Sequence, residues 1–182
     1  MSLNDKEKDL LLKLARETIM SHINGKPLPP LPKADGEFGE ECGVFVTLHK
    51  GKRLRGCIGN MIGRGPLVET IQEMAIKAST KDPRFPPTTP EELKNIHIEI
   101  SVLSPMKKIT SVDEIIVGTH GIMMTKGWHR GVLLPQVATE QGWDRDTFLT
   151  HTCLKAGLPD NSWKDPETII EIFSANVFGE DR

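Results

Sequence analysis

Residues 42–60 read CGVFVTLHKGKRLRGCIGN, and the predicted fold is organised around them. Its first half alternates apolar and polar residues, which is typical of a half-buried β-strand. A turn over residues 50–52 would return the chain antiparallel along 53–58, so the sequence predicts a hairpin. The apolar side chains share one face only if a three-residue loop pairs His49 with Arg53, because a slip by one residue turns every side chain over.

This register places the two thiols of the hairpin on opposite faces. Cys42 points to the apolar face, which Leu54 and Ile58 share. Cys57 points to the other face, on the side of Arg55. A disulfide between the two cysteines is therefore excluded in a regular hairpin.

Apolar periodicity predicts the remaining elements. The predicted helices cover about 4–23, 66–80 and 144–156, with shorter ones at 111–116 and 136–141. The predicted strands cover 95–103 and 168–178, and a second hairpin joins 120–125 to 130–134. Two hairpins, long alternating strands and interspersed helices predict an α+β fold with a mainly antiparallel sheet flanked by helices.

Residues 26–41 contain four prolines and no helical or strand periodicity. An extended strap over the surface of the same domain is one interpretation. A PxxP-type ligand for another domain is the alternative.

Composition limits the classes of function. The chain has 182 residues, a net charge of −2 and no tyrosine, which disfavours nucleic-acid binding. Its apolar runs are too short to span a bilayer and its first residues are charged, so we expect a cytoplasmic protein without a membrane partner. Three widely spaced cysteines are expected to be reduced, and no Cys/His spacing indicates a metal site.

Cys57 is the first candidate for chemistry. Arg55 and the positive end of the helix beginning near Pro66 would favour its thiolate. The flanking Gly56 and Gly59 permit close backbone approach. The alternative is a small buried apolar residue, as most free cysteines are, and the sequence shows no paired base beside it.

The connection before the second helix is a candidate anion site. Gly59, Gly63 and Gly65 would leave backbone amides free, and Arg64 adds a positive charge. The spacing is that of neither a P-loop nor a dinucleotide fingerprint. The alternative is a tight connection whose glycines need a positive φ.

Asp82 and Arg84 lie in the run DPRFPP, whose three prolines make it stiff. They could pair with each other or present polar groups at a cleft. The alternative is a structural loop whose Phe85 side chain packs in the core.

Several runs together resemble the AMMECR-type domain family, whose archaeal and bacterial members are often called AmmeMemoRadiSam system protein A. The runs are LRGCIGN at 54–60, DPRFPP at 82–87, EISVLSP at 99–105, HGI at 120–122, LLPQVA at 133–138 and GWDRDTFL at 142–149. The resemblance covers nearly the whole chain. It implies a single domain over 1–182 with a smaller lobe at about 105–165 and a main lobe formed by 1–104 and 166–182.

The resemblance implies a site but no reaction, because the family has no established activity or agreed catalytic residues. The matching motif residues are Arg55, Cys57, Asp82 and Arg84. Family members occur with a Memo-like protein and a radical-SAM protein, which makes these the expected partners. We therefore consider a thiol-bearing component of a modification pathway, a non-catalytic adaptor and, least favoured, a nucleic-acid binder; whether the chain is an enzyme, and with which cofactor, stays open.

Overall fold

A computed structural model describes residues 2–181, which form two compact units, each with its own hydrophobic core. One unit comprises the residues up to Leu103 together with those from Asn176 onward, and the second comprises Ser104–Ala175. The fold is α+β, with a mainly antiparallel sheet flanked by helices, as predicted. Within residues 2–181, none of the helices is long and apolar enough to cross a membrane.

The first unit packs two long helices against one face of three strands. Its elements are α1 (Asp5–Ile23), β1 (Val44–Lys50), β2 (Arg53–Asn60), α2 (Leu67–Thr80), α3 (Pro90–Leu93) and β3 (Ile96–Leu103). Both β2 and β3 pair antiparallel with β1, which makes β1 the central strand of the three. The core comprises the inward residues of the strands and the apolar stripes of α1 and α2, as the periodicity predicts.

The turn between β1 and β2 has two residues, so the predicted three-residue loop is wrong. Lys50 pairs with Arg53, and Gly51 has a φ of 60°. Two-residue hairpin turns need a positive φ at the first loop position, because only then does their twist match that of the strands. Glycine supplies this φ without strain.

A β-bulge at Arg55 then brings the apolar residues back to one face. Leu54 and Gly56 lie opposite consecutive residues of β1, which leaves Arg55 as the extra residue. Ile58 consequently lies opposite Val46, and not opposite Val44 as the predicted register requires. It still packs against the core, as predicted. Leu54 does not: it is 39% exposed, and its predicted place on the core face is wrong.

Side-chain caps explain where α1 and α3 of the first unit begin. Asn4 caps α1 in a full capping box with Glu7. Thr89 caps α3 in the same way through Glu92. Residues 27–35 have no regular secondary structure, and most of them are exposed.

The second unit packs two helices against a hairpin and the last strand. Its elements are β4 (Lys107–Lys108), β5 (His120–Lys126), β6 (His129–Leu133), α4 (Pro135–Gln141) and α5 (Arg145–Lys155), with most of β7 (Ile169–Gly179). Both β4 and β5 pair antiparallel with β7. The predicted helix at 111–116 is a single 3₁₀ turn, Val112–Glu114, capped by Ser111.

The boundary between the units falls inside β7. The resemblance placed residues from 166 onward in the main lobe. In the structure, Ile169–Ser174 pairs with β5 in the second unit, and only the residues from Asn176 belong to the first. The reason is that the first half of β7 buries Ile170 and Ile172 in the second core.

Candidate functional site

Cys57 lies on the face of β2 that points away from the core, as predicted. Its partner in β1 is Thr47, and the Thr47 Oγ1 to Cys57 Sγ distance is 3.3 Å. The Cys57 side chain is half-buried. The hydroxyl of Thr47 can donate a hydrogen bond to a thiolate or accept one from a thiol.

The backbone of Cys57 is held by the loop that follows α2. Its N–H donates to Asp82 Oδ2 at 2.9 Å, and its C=O accepts from Arg84 Nη2 at 3.3 Å. Both backbone groups therefore point away from β1, which makes Cys57 and Thr47 a non-hydrogen-bonded pair, the kind whose side chains lie closest. Asp82 and Arg84 thus occupy the free edge of β2 at the thiol.

Asp82 and Arg84 form a bidentate ion pair. Arg84 Nε donates to Asp82 Oδ1 at 3.0 Å and Nη2 to Oδ2 at 2.7 Å, and the Arg84 backbone N–H also donates to Oδ1. The Asp82 side chain is only 2% exposed. The Arg84 guanidinium, followed by the backbone N–H groups of Cys57 and Arg84, holds the pKa of Asp82 well below its usual range despite this burial.

The side chain of Arg84 extends from the buried Asp82 towards solvent. Its side chain is 54% exposed, and its guanidinium carbon lies 5.5 Å from the centroid of the Phe85 ring. Hydrogen bonds to Asp82 raise the pKa of Arg84, and the charge of a Cys57 thiolate adds to this effect. Within residues 2–181, Nη1 of Arg84 has no acceptor, so this nitrogen can bind an external anion.

Arg55 lies on the same Phe85 ring, at 5.9 Å, but its charge is already paired. Nε and Nη2 donate to the two carboxylate oxygens of Glu92, each at 2.9 Å, and Nη2 also donates to the Pro86 carbonyl. The Arg55 side chain is 11% exposed. Its hydrogen bonds lower the pKa of Glu92. Arg55 therefore ties the bulge of β2 to α3, and its side chain is buried, whereas that of Arg84 is exposed to a ligand.

Gly56 sets the distance between β2 and the end of α2. A Cβ at this position would lie 2.3 Å from the carbonyl oxygen of Ala78. Any side chain there would push β2 away from α2 and so separate Cys57 from the loop that carries Asp82. The close approach predicted for this glycine is confirmed.

Two glycines of the candidate anion site lie so close to neighbouring atoms that a side chain would not fit. A Cβ at Gly59 would lie 2.4 Å from the Phe45 ring, and one at Gly63 would lie 2.3 Å from the Cys42 backbone nitrogen. None of Gly59, Gly63 and Gly65 has a positive φ, so the prediction of left-handed glycines is wrong. Glu69 places a carboxylate in the first turn of α2, close to Gly65, which opposes an anion there.

A polar row crosses the outer face of the three strands, and it was not predicted from the sequence. Cys57, Thr47 and Glu99 lie opposite one another on β2, β1 and β3. His49 and His97 form the next pair along the same face, and His49 Nδ1 is buried without a hydrogen-bond partner among the described residues. The alternation of polar residues in β1 and β3 was the available signal, but only the register shows that they meet Cys57.

The other two thiols have different surroundings. Cys42 is 4% exposed, and burial, followed by Glu40 and Glu37, raises its pKa to about 11. Cys153 is fully buried in the second core, with Sγ 3.0 Å from Met124 Sδ, and burial raises its pKa as well. All three cysteines are free. Cys57 is therefore the most accessible of the three thiols.

Over residues 2–181, no three His, Cys, Asp or Glu side chains are arranged to hold a metal ion. The arrangement at Cys57 instead combines a thiol, a hydroxyl and an exposed guanidinium. Such a set can present a sulfur nucleophile to a substrate with an anionic group.

Comparison with known proteins gives the family. The AMMECR1 family model matches residues 12–178. The chain belongs to the AMMECR1 family. A protein of Methanothermobacter thermautotrophicus is 47% identical over 94% of this chain and 93% of its own, and one of Methanopyrus kandleri is 45% identical over 96% and 89%.

A solved structure shares the fold. The crystal structure of an uncharacterized protein from Pyrococcus horikoshii covers 98% of this chain and 94% of its own, with 39% identity and a TM-score of 0.86. The names of these AMMECR1-family relatives state no activity. The geometry around Cys57 therefore has to support any functional proposal.

Proposed function

We propose that this AMMECR1-family protein is a cytoplasmic, thiol-bearing component of a modification pathway that acts with Memo-like and radical-SAM proteins. Cys57 provides the reacting sulfur, and Arg84 binds an anionic group of the substrate. The main observation in support is that Cys57, alone among the three thiols, combines an accessible side chain with a neighbouring exposed guanidinium. The partners come from the family resemblance alone.

The Asp82–Arg84 pair supports this role because it holds the backbone of Cys57 at both its N–H and its C=O. The pair holds the Cys57 backbone at the sheet edge, and Thr47 contacts the sulfur from the neighbouring strand. A reacting group held in one geometry loses little entropy when a substrate arrives. Edge protection of β2 alone would need the backbone contacts but no accessible sulfur.

The first test is alkylation of the native protein by iodoacetamide, followed residue by residue with mass spectrometry. Cys57 is expected to react at least about tenfold faster than Cys42 or Cys153, since both are buried and have raised pKa values. Labelling in denaturant gives the reference in which all three thiols are accessible. Equally slow native labelling of the three cysteines would contradict the proposal.

The second test concerns the pathway. The protein is incubated with the Memo-like and radical-SAM proteins and cell extract, and its intact mass is then measured. The proposal predicts a covalent adduct or bound metabolite on the wild type that Cys57→Ser lacks, while both proteins retain the same partners. Partner binding without any difference at Cys57 would favour the adaptor.

One observation favours the second candidate function, a non-catalytic adaptor. In the proline-containing segment, Leu28 and Leu31 are 42% and 38% exposed, and the Pro29 carbonyl accepts from Gln72 Nε2 at 3.1 Å. An anchored segment with outward leucines is a suitable ligand for an aromatic groove. If this segment is the functional element, Leu28→Ser with Leu31→Ser abolishes partner capture while Cys57→Ser leaves capture unchanged.

A further inference from the structure

A cavity of about 360 Å³ lies in the second unit, between residues 108–112 and 163–170. Its size falls within the range of small-molecule sites in proteins. It uses none of the residues assigned above to the thiol site.

The inner wall of the cavity is apolar. Ile109 and Ile170 are each 8% exposed, and the Ile109 N–H donates to the Ile170 carbonyl at 3.0 Å, which joins the two sides of the cavity. Trp163 packs partly against the core of this unit and also lines the cavity. A half-buried tryptophan beside two isoleucines offers a flat apolar surface to a ligand.

The rim of the cavity is positively charged. Lys108 and Lys164 both line it and are exposed, and within residues 2–181 neither forms an ion pair. Lys164 Nζ lies 5.1 Å from the centroid of the Trp163 ring, so the charge sits close to the aromatic surface. The neighbouring Lys107, by contrast, is paired with Glu114 at 3.0 Å.

Among the described residues that line the cavity, Asp165 is the one carboxylate, and it is already neutralised. Asp165 Oδ2 accepts from Lys126 Nζ at 2.6 Å, and Oδ1 accepts from the Glu167 N–H at 2.9 Å. The uncompensated charge at the cavity is therefore that of two lysines. Opposite charge on a ligand would be attracted there.

We propose that this cavity binds a small organic anion with a flat apolar body. The acid group, a carboxylate, sulfonate or phosphate, lies between Lys108 and Lys164. The ring lies against Trp163 and the two isoleucines. This combination of an apolar wall with a few charged groups at one end is how small-molecule sites fix the orientation of their ligands.

The probe for the test is anilinonaphthalene sulfonate, a flat dye with one acid group, titrated into the whole chain and followed by its fluorescence. The uncharged phenylnaphthylamine serves as the matched dye without the acid group. The double variant Lys108→Gln, Lys164→Gln is expected to raise the Kd of the sulfonate about tenfold, because two charge contacts are lost. Its Kd for the uncharged dye should stay within about twofold of wild type.

Lys107→Gln is the control variant, since Lys107 neighbours the cavity in sequence but is paired with Glu114. It should leave both dyes unaffected. Trp163→Phe should weaken both dyes, with circular dichroism confirming that the unit remains folded. Equal sulfonate affinity in the wild type and the double variant would overturn the proposal, and so would an equal loss in Lys107→Gln.

Discussion

Arg55 and Arg84 lie on the same Phe85 ring but occupy two different environments. Arg55 is buried in the bulge of β2, and both oxygens of Glu92 accept its hydrogen bonds. Arg84 is half-exposed, holds a more deeply buried carboxylate, and keeps Nη1 free of acceptors within residues 2–181.

The two arginines have different roles within one small region: Arg55 is structural, and Arg84 is the one that can act with the thiol. The arginine that stands two residues before Cys57 in the chain stabilises the strand, because its side chain is buried and bonded to Glu92. The arginine that comes from a distant loop contacts the Cys57 backbone and faces solvent. Proximity in sequence therefore does not identify the cation that acts with the thiol.

The largest expected effect is that of Arg84→Gln on stability. It leaves the Asp82 carboxylate, 2% exposed, without its counter-charge. We expect the free energy of unfolding to fall by about 3 kcal/mol in urea denaturation near neutral pH. Lys33→Gln, which breaks the exposed Lys33–Asp35 pair, is the control and should change stability by less than about 0.5 kcal/mol. Similar effects of the two variants would contradict a buried pair at Asp82.

Arg55→Gln should have the next largest effect, a loss of about 2 kcal/mol in the same measurement. The loss is smaller because Glu92 is 22% exposed and retains Lys50 Nζ at 3.7 Å. This variant distinguishes the two arginines, since it should lower stability without changing the reactivity of native Cys57. A variant of Arg55 that is fully stable would show that the bulge does not depend on this ion pair.

Asp82→Asn should have a smaller effect on stability than either arginine variant, and this effect should depend on pH. Arg84 lowers the pKa of Asp82 in the folded protein, so the native state binds this proton less well than the unfolded state. The stability from Asp82 is therefore present above the ordinary pKa of about 3.9 and is lost as the pH falls below it.

Wild type should accordingly exceed Asp82→Asn by about 1.5 kcal/mol near neutral pH, and the difference should shrink towards zero in acid. Glu91→Gln removes an exposed carboxylate from the same region and serves as the control. A difference that does not depend on pH would show that the carboxylate charge is not what stabilises this edge.

Much of the fold could be predicted from local pattern. The alternation in β1 and β3, the caps Asn4, Thr89 and Asp144, and the proline and glycine breaks give the order and type of the main elements. These signals are local, because a cap or a strand face depends on residues only a few positions apart.

The hairpin register could not be predicted, because apolar pattern assumes an unbroken ladder. The bulge at Arg55 adds one residue to β2, so a two-residue turn and a core-facing Ile58 become compatible. The position of Gly51 favoured the shorter loop, since its positive φ belongs to that turn. Nothing in the pattern marked Arg55 as the extra residue.

The residues proposed for the site could be named from the motifs, but not their division of roles. The bond from Cys57 to Asp82 joins residues 25 positions apart, and the Arg55–Glu92 pair spans 37. Such contacts depend on where α2 ends and how closely Gly56 lets β2 approach Ala78. Only the folded chain fixes these distances.

The role of Arg84 beside the thiol is tested by comparing two alkylating reagents at Cys57. Iodoacetate is negatively charged and iodoacetamide is neutral, so the ratio of their rate constants reports the positive charge near the sulfur, while the fraction of thiolate cancels. If Arg84 is the anion-binding group, this ratio should fall about threefold in Arg84→Gln at low salt, with little change in Arg55→Gln. An unchanged ratio in Arg84→Gln, or an equal fall in Arg55→Gln, would contradict the proposed role of Arg84 beside the thiol.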